Sequence, residues 1–193
     1  MKCHIIGNGS SRELFEGTDD FKICLNMYSY ECDLLFAIDD LAENYLAKNN
    51  FFDTETVVSN VTNIQHEKII DRVPQYRKGI PFTDIKDLNP KKASFNVGHA
   101  AYSWVRNKGY NEIHMWGFDV FFNKSLVSLS DVIFGHSYSY KIETKFKHKA
   151  DKYLKIWHRM IDTPTYLHMP TGERIVEPTN DNKYLKGVYH GTW

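Results

Sequence analysis

CHIIGNGSSRE, the stretch from Cys3 to Glu13, carries the clearest structural signal in this sequence. Its apolar residues up to Ile6 predict a buried β-strand, which stops at Gly7-Asn8-Gly9. Ser10 and Glu13 then match the capping box of a helix start, with Ser10 as the N-cap. A strand, a glycine-containing loop and a helix in this order predict the opening unit of a parallel sheet.

Further apolar runs continue this alternation along the chain. We predict strands over residues 21–25, 34–38, 56–59, 112–116 and 165–168, and helices over residues 41–48, 97–108 and 151–162. Residues 60–92, which contain three prolines, are interpreted as loops with one short helix or strand. The pattern predicts a single α/β, Rossmann-like domain over residues 1–193, with a mostly parallel sheet and helices on both faces.

Composition and charge indicate which classes of partner and which cellular compartment to expect for this protein. Lys+Arg and Asp+Glu each total 24, so there is no basic excess of the kind that favours nucleic acid as a partner. Cys3, Cys24 and Cys32 have no disulfide or metal spacing and predict free thiols in a reducing, cytoplasmic setting. With no leader-like segment and no apolar run of about 18 residues, we expect neither secretion nor a membrane span.

Polar residues follow four of the predicted strands: Asn8, Asn26, Asp39 and Asp119. Ligands of open parallel sheets bind outside the carboxyl ends of the strands. We therefore predict a nucleotide site at this edge, with a phosphate over Gly7–Ser10, where backbone N–H groups and the helix dipole favour an anion. The alternative is a tight turn closed by an N-capping serine.

This loop departs from two common nucleotide motifs. Arg12 occupies the third glycine position of GxGxxG, and Asn26 replaces the acidic ribose ligand, which disfavours a standard NAD site. The sequence has no GxxxxGK[ST] run, so it is not a P-loop enzyme. Asp39 and Asp40 have two interpretations. Together they hold a divalent cation, or Asp40 is the N-cap of the helix predicted over residues 41–48. Asp119 is either a ligand contact or an acceptor for loop N–H groups.

Other residues capable of chemistry are interpreted as structural. His148, His158, His168 and His190 lack metal-ligand spacing, so we expect surface side chains and no metal site. Trp104, Trp157 and Met160 recur at helical spacing on apolar faces and predict core positions.

Three segments, in order, resemble the bacterial sialyltransferases of glycosyltransferase family 42. They also resemble the related motility-accessory and hydroxymethylpterin-pyrophosphokinase-like proteins. The segments are IIGNGSS at 5–11 with a following strand that ends at Asn26, NVGHAAYSWVRNKGYNEIHMWGFDVFF at 96–122, and FGHSYSY at 134–140. The resemblance covers roughly residues 1–160.

The resemblance implies transfer of a sugar from a nucleotide-sugar donor, such as a CMP-linked one, to a hydroxyl acceptor. It implies no required cofactor, a homo-oligomer, and a lid over residues 122–149, ahead of a polar tail at 170–193. His136 would be the general base, because an imidazole can take the acceptor proton near neutral pH. The implied nucleotide or donor contacts are Gly7, Asn8, Gly9, Ser10, Asn26, Asp39, Asn96, Gly98 and Asp119.

The chain departs from the family pattern at three places. Asp39 stands where the sialyltransferases have a donor-contacting asparagine. Asn96-Val97-Gly98 stands where the sialyltransferases have Thr-Ser-Gly, and Phe121 stands near a tyrosine that contacts the leaving phosphate. Two other functions therefore stay open. One is an ATP- and Mg²⁺-dependent diphosphotransferase of the hydroxymethylpterin pyrophosphokinase type, with the cation on Asp39, Asp40 or Asp119. The other is a nucleotide-binding module without catalysis.

Overall fold

One parallel sheet organises the part of the chain that the computed structural model describes: residues 1–28, 30–59, 62–73, 96–124, 126, 141–176 and 182–191, with backbone only for 141–149. Its strands are β1 Lys2–Ile6, β2 Phe21–Leu25, β3 Leu34–Phe36, β4 Glu55–Ser59, β5 Ile69–Val73, β6 Glu112–Trp116, β7 Thr165–Pro170 and β8 Leu185–His190. Their order is β5-β4-β3-β2-β1-β6-β7-β8, and every neighbouring pair is parallel.

Helices cover both faces of this sheet. They are α1 Asp40–Asn49, α2 Val97–Asn107 and α3 Lys141–Met160, with two 3-10 helices, η1 Ser10–Leu14 and η2 Asp119–Phe121. Tyr102 of α2 and Trp157 of α3 belong to the core on one face, and Leu46 of α1 belongs to the core on the other. The predicted α/β, Rossmann-like fold with helices on both faces is confirmed.

β1 shows how strand alternation sorts side chains between the two cores. Cys3 and Ile5 pack on the α2 side, and Ile6 packs on the α1 side. A strand buried on both faces has a continuous apolar run, which is the pattern that predicted it. Cys3 and Cys24 are buried and form no disulfide, as expected, and burial raises the pKa of the Cys3 thiol above its ordinary value.

The strand order reverses between β1 and β6. From β1 the chain proceeds outward through β2, β3, β4 and β5, then returns through α2 to β6 on the other side of β1. Right-handed crossovers that progress in opposite directions place their helices on opposite faces, which is why α1 lies on one face and α2 and α3 on the other. The pair β1 and β6 is therefore the switch point of the sheet, where a crevice opens at the carboxyl edge.

One strand and part of a helix differ from the sequence prediction. β8 lies inside the expected polar tail at 170–193, because an edge strand is half-exposed and carries residues such as Lys186. α3 begins at Lys141 rather than 151 and so takes up part of the expected lid at 122–149. Within residues 62–73, the described part of the stretch expected to be loops with one short element, β5 is such a short strand. No described helix has the length and apolar character needed to cross a membrane.

Two predicted helix starts are wrong in detail. η1 is a short 3-10 helix with Gly9 at its N-cap position and no side-chain cap of its own, so Ser10 and Glu13 do not form a capping box. α1 begins at Asp40, and Asp39 holds the preceding position, so Asp40 is not an N-cap. Of the three predicted core residues, Trp157 and Met160 lie in the core, whereas Trp104 is half-buried and packs against it, because its indole Nε1 reaches out to donate to Asp71.

Candidate functional site

The loops after β1 and β6 meet at the switch point of the sheet. The backbone N–H of Gly7 donates to the carbonyl oxygen of Trp116 at 2.7 Å, and that of Gly9 donates to Gly117 at 3.0 Å. These bonds extend the pairing of β1 and β6 beyond the ends of the strands. The predicted phosphate loop is therefore joined along its length to the loop that contains Asp119.

Close packing of these two loops requires the glycines. A Cβ atom at Gly9 would lie 2.7 Å from the Asp119 carboxylate and 2.7 Å from the Gly117 carbonyl oxygen. A Cβ atom at Gly7 would lie 2.8 Å from the same carbonyl oxygen, and Gly117 itself has a φ of +71°. Side chains cannot be accommodated at these distances, so the Gly-x-Gly pattern serves the approach of the two backbones.

Asp119 supplies an anion from within the protein. Its carboxylate accepts bonds from the backbone N–H groups of Ser10 (2.8 Å) and Ser11 (3.2 Å) and from their hydroxyls (2.7 and 2.5 Å). A carboxylate offers about four acceptor positions, so these donors saturate it. Of the two interpretations of Asp119, the structure shows the one in which it binds loop N–H groups.

This arrangement changes the expected phosphate cradle. The N–H groups of Gly7, Gly9 and Ser10 all donate to protein oxygens, and the Asp119 carboxylate lies at the start of η1, where a phosphate was expected. The favourable anion position at a helix start is therefore taken up internally. A ligand phosphate would need donors other than these three groups.

Two asparagines lie beside this loop at the ends of β1 and β2. Asn8 donates its Nδ2 to the carbonyl oxygen of Leu25 at 2.6 Å, and Asn26 donates its Nδ2 to Oδ2 of Asp39 at 2.5 Å. Both acceptors lack protons, which fixes the orientation of each amide. The opposite oxygens, Oδ1 of Asn8 and Oδ1 of Asn26, are buried and have no hydrogen-bond partner.

An unpartnered buried oxygen is costly, so this pair is informative. Leaving a buried acceptor unsatisfied costs about 1–3 kcal/mol. Asn26 also adopts a left-handed backbone conformation with a φ of +62°, which is uncommon outside glycine. Unsatisfied acceptors and unusual backbone occur together at functional sites. The carboxyl edge of β1 and β2 is therefore able to accept hydrogen bonds from a donor-bearing ligand.

The N-terminus of α2 reaches the same edge. A Cβ atom at Gly98 would lie 2.7 Å from the ring of Phe118, which follows β6. Asn96 caps this helix, since its Oδ1 accepts from the His99 N–H at 3.1 Å and its own N–H donates to His99 Nδ1 at 3.0 Å. Burial lowers the pKa of His99 to about 3, so this ring is neutral at physiological pH.

The structure brings most of the predicted site residues to one edge. Gly7, Gly9, Ser10 and Asp119 contact one another, Asn26 contacts Asp39, and Gly98 lies against the β6 loop. His136 lies outside the described residues, as does much of the expected lid. Within the ranges that the structure describes, no group of three or more His, Cys, Asp or Glu side chains is arranged to hold a metal ion.

The sequence analysis missed a row of histidines on the sheet. His4, His114, His168 and His190 come from β1, β6, β7 and β8 and share the face on which Trp116 lies. His168 was expected at the surface and is only 6% exposed, because neighbouring strands enclose it. The available signal was one histidine in each of the four segments that form β1, β6, β7 and β8.

Comparisons with known proteins add a structural likeness. No family model matches the chain, and none of the curated proteins matches it. Among solved structures, it is similar to the sialyltransferase CstII from Campylobacter jejuni, studied in complex with a substrate analogue, CMP-3FNeuAc. The two are 17% identical over 86% of this chain and 81% of that one, with a TM-score of 0.49. A likeness of this degree is a matter of overall architecture and does not bear on ligand or reaction.

Proposed function

We propose that this chain is a glycosyltransferase, which binds a nucleotide-sugar at the switch point of the sheet and transfers the sugar to a hydroxyl acceptor. The observation that carries the proposal is the pair of buried, unpartnered oxygens, Oδ1 of Asn8 and Oδ1 of Asn26. They lie where open α/β sheets bind their ligands.

The chemistry of these oxygens selects the part of the ligand that they would bind. A phosphate presents acceptors only and cannot satisfy an amide oxygen. Ribose hydroxyls and the exocyclic amino group of a cytosine or adenine are donors, and they would satisfy it. We therefore assign the edge formed by Asn8 and Asn26 to the nucleoside portion of the donor. The phosphate lies elsewhere, since the first-turn donors of η1 already bind Asp119.

Sugar transfer needs a base for the acceptor hydroxyl. His136 in FGHSYSY is our candidate, on the resemblance to the Gly-His-Ser segment of family 42 sialyltransferases. Its imidazole would take the proton as the hydroxyl attacks the anomeric carbon, and the nucleotide phosphate would leave.

A magnesium-dependent diphosphotransferase fits the carboxylates less well. Such a reaction would use acidic side chains to hold the cation against the phosphates. All four donor contacts of Asp119 are with Ser10 and Ser11, and Oδ2 of Asp39 accepts from Asn26. Releasing either carboxylate for a metal would break these bonds.

Thermal unfolding with a nucleotide panel tests the binding step. CMP, UDP, GDP, ADP and ATP are each added with Mg²⁺ and with EDTA. We expect a nucleotide to raise the unfolding temperature equally in both conditions, by the equivalent of about 2.7 kcal/mol at a hundredfold excess over the dissociation constant. Asn8→Ala should abolish the shift. Asn49→Ala is the matched control, because its amide donates within α1, to the carbonyl oxygen of Tyr45.

The outcomes separate the three functions. Stabilisation by ATP with Mg²⁺ alone would favour the diphosphotransferase, and no shift with any nucleotide would overturn the site itself. If a nucleotide binds, release of that nucleotide from its sugar conjugate in the presence of an acceptor distinguishes an enzyme from a binding module. His136→Ala should then reduce transfer by orders of magnitude while the thermal shift persists, and unchanged transfer would remove His136 from the mechanism.

A further inference from the structure

Three imidazoles and a carboxylate form a continuous hydrogen-bonded row across β6, β7 and β8. Nε2 of His114 lies 3.0 Å from Oε1 of Glu112, and Nδ1 of His114 lies 2.8 Å from Nε2 of His168. Nδ1 of His168 lies in turn 2.7 Å from Nε2 of His190. The side chains stand at alternating positions of parallel strands, so they occupy one face of the sheet.

The carboxylate at one end fixes the direction of every bond in the row. Glu112 can only accept while it is ionised, so the proton of His114 lies on Nε2. Nδ1 of His114 is then an acceptor, and it requires a proton on Nε2 of His168; the same reasoning places the proton of His190 on Nε2. In this arrangement each ring carries its bridging proton on Nε2, and all three rings donate toward Glu112.

Stacking holds the rings in register. The His114 ring lies between His4 (centroids 4.6 Å apart, planes at 13°) and Tyr166 (4.9 Å, 18°). Trp116 stacks on His168 with centroids 3.4 Å apart, and its Nε1 donates to Nδ1 of His4 at 3.0 Å. The rings of His114 and His168 are therefore both packed against aromatic neighbours.

The row connects opposite edges of the sheet. Glu112 is the first residue of β6, and its side chain is 40% exposed at the amino edge. His190 is the last residue of β8, at the carboxyl edge of the sheet. The nitrogens meet in successive pairs rather than around one point, so the arrangement suits proton transfer along a line and not coordination of a metal.

We propose that Glu112, His114, His168 and His190 form a proton relay between the carboxyl edge of the sheet and solvent at its amino edge. A proton from water binds Nδ1 of His190, and the Nε2 proton of that ring passes to Nδ1 of His168. The Nε2 proton of His168 passes to Nδ1 of His114, and the Nε2 proton of His114 passes to Glu112, which releases it to water. One proton enters and one leaves, and the three rings end as Nδ1–H tautomers that must reorient to reset.

The surroundings favour transfer over storage of the proton. Burial, and secondarily the neighbouring histidines, lower the pKa of His168 to about 3, so charge does not rest at the centre of the row. The hydrogen bond from His114 holds the pKa of Glu112 below its ordinary value. The other titratable or charged groups that border the row, on its own strands, η1 and the loop before β2, are Lys2, His4, Arg12, Asp20, Tyr166 and Lys186.

Proton exchange at the buried ring tests the relay directly. In protein labelled with ¹⁵N at histidine, the exchange of the His168 Nε2 proton with water is measured by saturation transfer at pH 7. Glu112→Gln keeps an acceptor oxygen beside His114 but cannot take up a proton, so we expect exchange to slow at least tenfold. His190→Gln should slow the exchange similarly, because it removes the imidazole that takes up a proton at the carboxyl edge and passes one on to His168.

Lys2→Gln is the matched control, since it removes the ion pair on Glu112 (3.6 Å) and leaves the carboxylate in place. Exchange in this variant should equal that of the unmodified protein. Equal exchange rates in the Glu112→Gln variant and the unmodified protein would overturn the relay. Nitrogen shifts that show Nδ1–H tautomers in the unmodified protein would overturn it independently, without any variant. This proposal does not depend on the glycosyltransferase assignment.

Discussion

At the scale of single residues, Asp119 and the two asparagines differ in whether their polar atoms are satisfied. Asp119 has donors for both carboxylate oxygens, which makes it part of the scaffold that joins the β1 and β6 loops. Asn8 and Asn26 each retain one buried oxygen without a partner. Three residues that the sequence places in one category, polar and at a strand end, therefore divide into one whose polar atoms are satisfied within the protein and two that each keep an unsatisfied oxygen.

Asp119→Asn should destabilise the fold. The neutral amide has one oxygen in place of two, and its NH₂ group would face the N–H groups of Ser10 or Ser11. Hydrogen bonds to a charged group contribute about 1.5–3 kcal/mol, so we expect a loss of about 2 kcal/mol in urea unfolding. Asp162→Asn is the control, because its exposed ion pair with Arg106 (3.1 Å) contributes little. Equal effects of the two substitutions would contradict the structural role of Asp119.

At the scale of elements, residues at both ends of α2 determine where this helix begins and ends. Asn96 and His99 cap the first turn reciprocally, and Gly109 follows the last turn with a φ of +87°, as a helix-terminating glycine does. Gly98 allows the first turn to approach Phe118. The helix that returns the chain to β6 therefore begins at a defined point on the carboxyl edge of the sheet.

Asn96→Ala should weaken this helix start. The substitution removes the acceptor for the His99 N–H, and loss of an N-cap costs about 1 kcal/mol. Asn96→Ser should recover most of the stability, because a serine hydroxyl can accept the same bond. Urea unfolding of the two variants at pH 7 measures the difference. If alanine and serine are equivalent, the cap contributes nothing.

Elements in the centre of the sheet could be predicted from sequence, and those at its margins could not. β1 and β6 end in apolar residues that are buried on both faces, Ile5-Ile6 and Met115-Trp116, and these residues identify the two strands directly. β8 has one neighbour and a half-exposed surface, and its sequence LKGVYH resembles a polar tail. η1 was mistaken for a capped α-helix because its real partner, Asp119, is more than 100 positions away.

At the scale of the whole molecule, buried neutral histidines make the free energy of unfolding depend on pH. Burial is the largest cause that lowers the pKa values of His4 to about 4 and of His99 and His168 to about 3. In the unfolded chain a histidine titrates near 6.5, so below that pH the unfolded state binds more protons. The stabilisation is present in full above about pH 6.5 and is lost as pH falls toward these folded-state values.

The unfolding free energy should therefore decrease steadily between pH 6.5 and 4.5. Each such histidine contributes up to about 1.4 kcal/mol per pH unit to the slope, while Glu43, whose pKa burial raises, opposes it at the acid end. Urea unfolding across this range measures the slope. His99→Gln should make it shallower, and Asn96→Ala should lower the curve without changing its slope. A stability that does not vary with pH would contradict these depressed pKa values.

The sequence was sufficient to predict where the candidate site lies, but it could not predict which hydrogen bonds the site residues make within the protein. Strand ends and the switch point are consequences of a parallel sheet, so Asn8, Asn26 and Asp119 could be placed at one edge in advance. Which oxygen is already satisfied depends on contacts between distant parts of the chain. The histidine row is a stronger example, because its register requires the pairing of β6, β7 and β8, which periodicity alone does not determine.

The position of β1 in the middle of the sheet has a consequence for synthesis. During translation β1 gains one neighbour when β2 follows, but its other neighbour, β6, is Glu112–Trp116, which is synthesised much later. At about 5–20 residues per second, the roughly 40 residues between β5 and β6 take about 2–8 seconds to translate. During that interval the nascent half-sheet has an open edge in what will become the centre of the protein, and this is where a chaperone would have most to protect.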